Sequence, residues 1–224
     1  MADTNWGAID AYIGEKLLSK DPALDAALEA NRAAGLPGID VSPLQGKFLH
    51  VLARAAGARR ILEIGTLGGY STIWLARALP EDGKVVTLEF SPDHAAVARR
   101  NLAAAGVAEK VDLRVGAALE SLPLLQAEGQ AFDFVFIDAD KDNNAAYLEW
   151  ALKLARVGAT VVVDNVVRKG AILDPDNRSP DVEGTRRFFD FAAGERRWTA
   201  SALQTVGAKG WDGFAIGVVE AVKA

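Results

Sequence analysis

Two apolar runs that each stop in a cluster of oxygen-bearing side chains constrain this chain most. Phe132-Asp133-Phe134-Val135-Phe136-Ile137 runs into Asp138-Ala139-Asp140-Lys141-Asp142-Asn143, and Ala159-Thr160-Val161-Val162-Val163 runs into Asp164-Asn165. Aromatic and β-branched residues in unbroken runs form strands buried on both faces of a parallel sheet. Open α/β sheets place their ligands beyond the carboxyl ends of such strands. Asp138, Asp164 and Asn165 are oxygen donors, a set suited to Mg²⁺ or Ca²⁺ rather than to zinc.

The rest of the composition narrows the class. At 224 residues the chain is long enough for one sizeable α/β domain and short for two. The absence of cysteine excludes disulfides, thiolate metal sites and cysteine nucleophiles. A formal net charge of −5 provides no broad basic surface for nucleic acid. No apolar run reaches membrane-spanning length, and Met1-Ala2-Asp3-Thr4-Asn5 lacks the pattern of a secretion signal, so a cytoplasmic location is expected.

Ahead of the first strand, Trp6 to Gly35 reads as two helices. Asp21 caps the second, Pro22 fills its first position, and Leu24, Ala27 and Leu28 form its apolar stripe. Ser42-Pro43 opens a third helix with Leu44, Phe48, Val51, Leu52 and Ala55 on its predicted apolar face. The first strand, Arg59 to Ile64, then enters Gly65-Thr66-Leu67-Gly68-Gly69-Tyr70-Ser71 and a helix through Leu79.

This glycine loop is not the dinucleotide fingerprint. That motif needs glycine at its first, third and sixth positions, and here the third and sixth are Leu67 and Tyr70. The loop instead suits a nucleoside-bearing ligand without a pyrophosphate, held against exposed backbone N–H groups. Lys84 to Glu89 is a second strand ending in an acid 24 residues after Gly65, the place from which a carboxylate accepts ribose hydroxyls.

Ser91-Pro92 starts the next helix, Val111 to Val115 is a third strand, and Gly116-Ala117-Ala118 leads into another helix. Asn143 or Asn144 is expected to cap a helix carrying Tyr147, Leu148, Ala151, Leu152 and Ala155 inward and ending at Gly158. A polar loop from Arg168 to Arg178 precedes a helix capped by Ser179-Pro180, on which Arg186-Arg187 reads as a solvated face. Trp198 to Val206 and Phe214 to Val219 read as an antiparallel hairpin joined by residues 207–213. His50 and His94 read as surface or packing residues.

Five parallel strands with crossover helices and a terminal hairpin resemble the Rossmann-like class I S-adenosylmethionine methyltransferase fold, a mostly parallel seven-stranded sheet. The segments ILEIGTLGGYS, Glu89, FVFIDADKDN and VVVDN together resemble the cation-dependent O-methyltransferases, which include catechol and caffeoyl-CoA O-methyltransferases. The likeness runs from Val41 to the C-terminus and implies one domain over residues 1–224, with 1–40 a helical cap and 41–224 the catalytic core.

The resemblance also implies roles. Val41, Glu63, Gly65, Thr66 and Ser71 would hold the methionine part of S-adenosylmethionine, with Ser71 on its carboxylate. Glu89 would hold the ribose, Ala118 would border the adenine, and Asp140 would lie near the cofactor. Asp138, Asp164 and Asn165 would bind a divalent cation, Mg²⁺ or else Ca²⁺ or Mn²⁺. Asp138 is shared with the catalytic and cofactor-contacting sets, and Lys141 would be the general base. The family is commonly homodimeric, with the N-terminal helices shaping the substrate pocket.

Plant members carry Leu-Trp after the Asp-Asn pair, where this chain has Val166-Val167-Arg168-Lys169, and the segment around Trp211 also differs. A small aromatic substrate with vicinal hydroxyls is therefore expected rather than a coenzyme A ester. The alternative is methylation of a hydroxylated uridine in tRNA, for which Arg168, Lys169, Arg178, Arg186 and Arg187 would have to form a local basic rim.

Overall fold

The computed structural model describes residues 5–221; Met1 to Thr4, part of the stretch read above for a leader, lie outside it. Helices α1 (Trp6–Leu17), α2 (Pro22–Ala33) and α3 (Pro43–Ala55) precede β1 (Arg60–Ile64). There follow α4 (Tyr70–Ala78), β2 (Lys84–Glu89), α5 (Pro92–Ala104), β3 (Val111–Val115), α6 (Ala118–Ala127) and β4 (Phe132–Ile137). The chain ends with α7 (Asn144–Leu154), β5 (Ala155–Asp164), α8 (Pro180–Gly194), β6 (Trp198–Gly207) and β7 (Gly210–Val219).

The seven strands form one sheet in the order β3-β2-β1-β4-β5-β7-β6, with β7 antiparallel to both β5 and β6. The chain winds outward from β1 in one direction and restarts at β4 on its other side, which opens a crevice beyond the ends of β1 and β4. Alternation fills both faces. Leu62, Ile64, Val135 and Ile137 pack beneath residues of α6, α7 and α8, while Ile61, Phe134 and Phe136 pack beneath α2, α3 and α4. Each such fully buried side chain contributes about 1.5–3 kcal/mol. Among the described residues no helix is long and apolar enough to cross a membrane.

The caps at Asp21, Ser42 and Ser91 form as expected, each side chain accepting from backbone N–H groups of its helix. Other local readings are corrected. The third helix buries Gly46, Leu49 and Ala53, leaving Phe48 and Val51 exposed, because Gly46 lets Trp74 approach where a Cβ would stand 2.3 Å from its Cδ1. Neither Asn143 nor Ser179 caps its helix by side chain: Asn143 donates to Asp140, and the Ser179 hydroxyl donates to Asn177. Helix α7 stops at Leu154, and Ala155 already pairs with Phe132, so Gly158 lies inside β5. The hairpin turns through Ala208 and Lys209 alone, and the glycine-rich stretch 210–213 is strand.

Candidate active site

A cavity of about 730 Å³ occupies the crevice. Ten of the twelve residues singled out from sequence line it. Val41 comes from the approach to α3, and Gly65, Thr66 and Ser71 come from the β1 loop. Glu89 ends β2 and Ala118 begins α6. Asp138, Asp140 and Lys141 follow β4, and Asn165 follows β5. Glu63 and Asp164 stand behind this wall, 0% and 5% exposed.

The glycine loop is shaped by close approach. Gly65 has φ +101°, and a Cβ there would lie 2.3 Å from the Asp138 carbonyl oxygen. Several of the loop's N–H groups are not free for a ligand, contrary to the sequence expectation. Gly65 donates to the Leu88 carbonyl (3.0 Å), and Thr66 and Leu67 donate to one Glu89 oxygen (3.2 and 2.7 Å). The other Glu89 oxygen accepts from Ser91 N (2.9 Å) and lies 3.4 Å from His94 Nδ1. Glu89 thus fixes the loop and faces the cavity at the same time.

Glu63 is turned toward α4, where Ser71 (2.6 Å) and Thr72 donate hydroxyls to it, and Thr87 of the neighbouring β2 donates a third (2.6 Å). Burial pushes its carboxyl up to about 7, against the pull of those three hydrogen bonds. It supports the loop from behind, fully buried and outside the cavity lining.

The acid cluster is equally connected. Lys141, 8% exposed, donates to Asp138 Oδ1 at 2.7 Å and not to Asp140 or Asp142. Asp140 accepts from the Tyr147 hydroxyl and from Asn143. Asp164 Oδ2 accepts from Gln45 Nε2 (2.6 Å) and Oδ1 from the Asn165 backbone (2.8 Å). Burial, then the charge of Asp138, pushes the Asp164 carboxyl up to about 7. Among the described residues no group of three or more His, Cys, Asp or Glu is placed to hold a metal, so a cation here would need the Asn165 amide as its third side-chain donor. Two mutually repelling carboxylates and an amide, all oxygen donors at neighbouring strand ends, fit a hard divalent cation.

Backbone strain gathers at this edge. The four non-glycine residues with positive φ among those described are Leu67, Asn165, Arg168 and Lys169. Such conformations persist where surroundings over-determine them. Asp212 Oδ1 supplies that restraint, accepting from the N–H groups of Val167, Arg168 and Gly213 at 3.0 Å each. Trp211 packs on Gly170, where a Cβ would come within 2.8 Å of its ring.

Sequence reasoning missed Gln45, His94, Tyr147 and Arg168 as parts of the site. It also misread Arg186 as solvated, while Arg187 beside it is exposed as expected. Arg186 donates to the carbonyls of Ala171, Ile172, Asp174 and Asn177, bolting the loop to α8, and Arg187 donates to the Asp142 carbonyl. Arg168 pairs with Asp181 and Arg178 with Glu183. The basic rim that a tRNA substrate would require is therefore largely engaged within the chain.

Residues 19–207 match the family model described as O-methyltransferase. A catechol O-methyltransferase of Mycobacterium tuberculosis is 56% identical over 211 residues, covering 94% of each chain. An O-methyltransferase from Bacillus cereus in complex with SAH superposes with a TM-score of 0.95 at 54% identity, covering 96% of this chain and 99% of that one. One from Streptomyces achromogenes, in complex with SAM and involved in tomaymycin synthesis, gives 0.94 at 51%, covering 99% and 100%.

Proposed function

The chain belongs to the O-methyltransferase family and is an S-adenosylmethionine-dependent O-methyltransferase, and from that premise we propose that it methylates a small catechol with the help of a divalent cation. The observation carrying this reading is that one cavity joins the Gly65–Ser71 loop and Glu89 to Asp138, Lys141 and Asn165.

In this reading Val41, Gly65, Thr66 and Ser71 hold the methionine end of the cofactor, Glu89 its ribose, Ala118 its adenine edge, and Asp140 lies beside it. The Ser71 hydroxyl is committed to Glu63, so Ser71 offers a carboxylate its backbone N–H in the first turn of α4. Asp138, Asp164 and Asn165 hold the cation, which supplies Lewis-acid stabilisation of negative charge on the substrate oxygen. Lys141 takes the proton from the reacting hydroxyl. The oxygen lone pair forms the new bond to the methyl carbon as the carbon–sulfur pair returns to sulfur, leaving a neutral thioether. Holding both reactants in line supplies several kcal/mol more.

A homodimer belongs to the same proposal. Among the described residues α1 buries none, and β6 is an edge strand exposed along most of its length, with Ile9, Tyr12, Leu203 and Val206 open to solvent. Sedimentation should give twice the mass of one chain.

The deciding assay is methyl transfer from S-adenosylmethionine to a catechol, a monohydroxylated phenol and tRNA, with and without chelator. Transfer to the catechol alone, abolished by chelation and restored by Mg²⁺, is expected. Full activity in metal-free enzyme would overturn the cation, and preference for the monophenol or tRNA would overturn the substrate.

A further inference from the structure

The N-terminal helices precede the sheet, yet one buried side chain of α2 reaches the glycine loop. Asn31 is 2% exposed; its Nδ2 donates to Asp40 Oδ1 at 2.8 Å, and its Oδ1 accepts from Asn101 Nδ2 at 2.9 Å. Asn101, buried on α5, also donates to the Gly68 carbonyl at 2.9 Å. These bonds join Asp40, Asn31, Asn101 and Gly68 in a chain behind the cavity. Asp40 and Val41 line one part of its wall, and Gly65 and Thr66, within the loop of Gly68, line another.

The packing leaves no slack. A Cβ on Gly68 would fall 1.8 Å from Asn31 Oδ1. Burial drives the Asp40 carboxyl above its usual range, and the Asn31 hydrogen bond is the main influence opposing it. The Asp40 carbonyl is tied in turn to Lys209 at the β6–β7 turn, and Asp10 of α1 accepts from Ala208 N at 2.7 Å. The amide pair therefore sits where α2, α5, the glycine loop and the residue 39–41 segment meet.

We propose that Asn31 and Asn101 are positioning residues that set the spacing between the Gly65–Gly69 loop and the Asp40–Val41 segment, so that docking of α2 and binding of the cofactor reinforce one another. This rests on the reading that both segments grip the methionine end. A hydrogen bond across a buried interface of this kind carries the coupling only if each partner is satisfied, since a lone buried amide is penalised. By reciprocity, whatever the docked helix contributes to cofactor affinity the cofactor must return as protection of the helix.

Two measurements test it. In the wild-type chain, saturating S-adenosylhomocysteine should slow hydrogen exchange in α2, whose residues do not line the cavity. Asn31→Ala and Asn101→Ala should each weaken S-adenosylhomocysteine binding roughly tenfold by calorimetry. The KM for S-adenosylmethionine should rise in step, while kcat at saturation moves much less. Gly68→Ala, which displaces the Asn31 amide, should weaken binding in the wild-type background and add little in the Asn31→Ala background. Variants that melt earlier but bind within twofold of wild type would overturn the proposal, as would α2 exchange indifferent to the ligand. A wild-type chain that fails to bind S-adenosylhomocysteine at all would remove the cofactor reading itself.

Discussion

Lys141 Nζ lies 2.7 Å from Asp138 Oδ1, so the nitrogen assigned to take the substrate proton is held by a carboxylate assigned to the cation. The two are three residues apart across the turn leaving β4, and Lys141 is nearly buried there. In the proposed mechanism the base and the cation would therefore both lean on the Asp138 carboxylate.

Lys141→Met is expected to lower kcat by roughly 10²–10⁴-fold, the usual contribution of a general base. It should also lower the Mg²⁺ concentration giving half-maximal rate, because Asp138 loses a competing positive charge. Steady-state rates across a Mg²⁺ titration read both. A variant turning over at the wild-type rate would place the base elsewhere, and an unchanged Mg²⁺ midpoint would show that the ion pair does not compete.

Gln45 makes a complementary case. Its amide holds Asp164 Oδ2 at 2.6 Å while the Asn165 backbone holds Oδ1, so neither oxygen is left to rotate freely. Groups that orient a metal-binding carboxylate in this way are commonly worth 10–100-fold in metal affinity. Gln45→Leu should raise the Mg²⁺ midpoint by about tenfold, with the rate at saturating Mg²⁺ largely retained. An unshifted midpoint in the same titration would mean that Gln45 only packs.

Gly65→Ala should be among the most damaging single changes in the cavity wall. The new Cβ would meet a backbone carbonyl at 2.3 Å in a left-handed conformation, and neither side can yield as a side chain could. A loss of at least roughly 2 kcal/mol is expected. Chemical denaturation measures it, and a midpoint equal to wild type would show that β1 and β4 can separate at their ends.

These residues also show how far the sequence could be read. Both buried runs and their terminal acids were legible because a doubly covered strand imposes an unbroken apolar pattern, and the acids begin where that pattern stops. The face of α3 was only partly legible: the predicted apolar stripe obeys helical spacing and Leu52 does pack on the core, but Val51 is exposed and Phe48 reaches only the core's edge at Phe214, while the helix closes on the sheet side over Gly46. Gln45 and Asp164 are 119 positions apart, and Asn31 and Asn101 are 70 apart. A neutral amide has no local signature that announces a distant partner. Arg186 looked solvated because, apart from Glu183 one helical turn away, its partners are backbone carbonyls, which every residue possesses.

Glu63 gives a pH dependence of stability with a definite sign. Its folded pKa stands near 7 against an ordinary 4.5, so the native state binds more protons than the unfolded chain between those values. Stability then falls as pH rises through that window, and the contribution is fully present only below the lower value. Glu63→Gln removes the titration while keeping a polar group among Ser71, Thr72 and Thr87. Relative to wild type, the variant should therefore gain stability from pH 4.5 to pH 8, by roughly 3 kcal/mol at most. The three hydroxyl donors favour the charged carboxylate and set the lower end of the effect. Denaturation midpoints of the two proteins, measured as a difference across that pH range, isolate Glu63 from every other titrating group. A difference that stays constant with pH would mean that Glu63 is ionised throughout, with the three hydroxyls outweighing its burial.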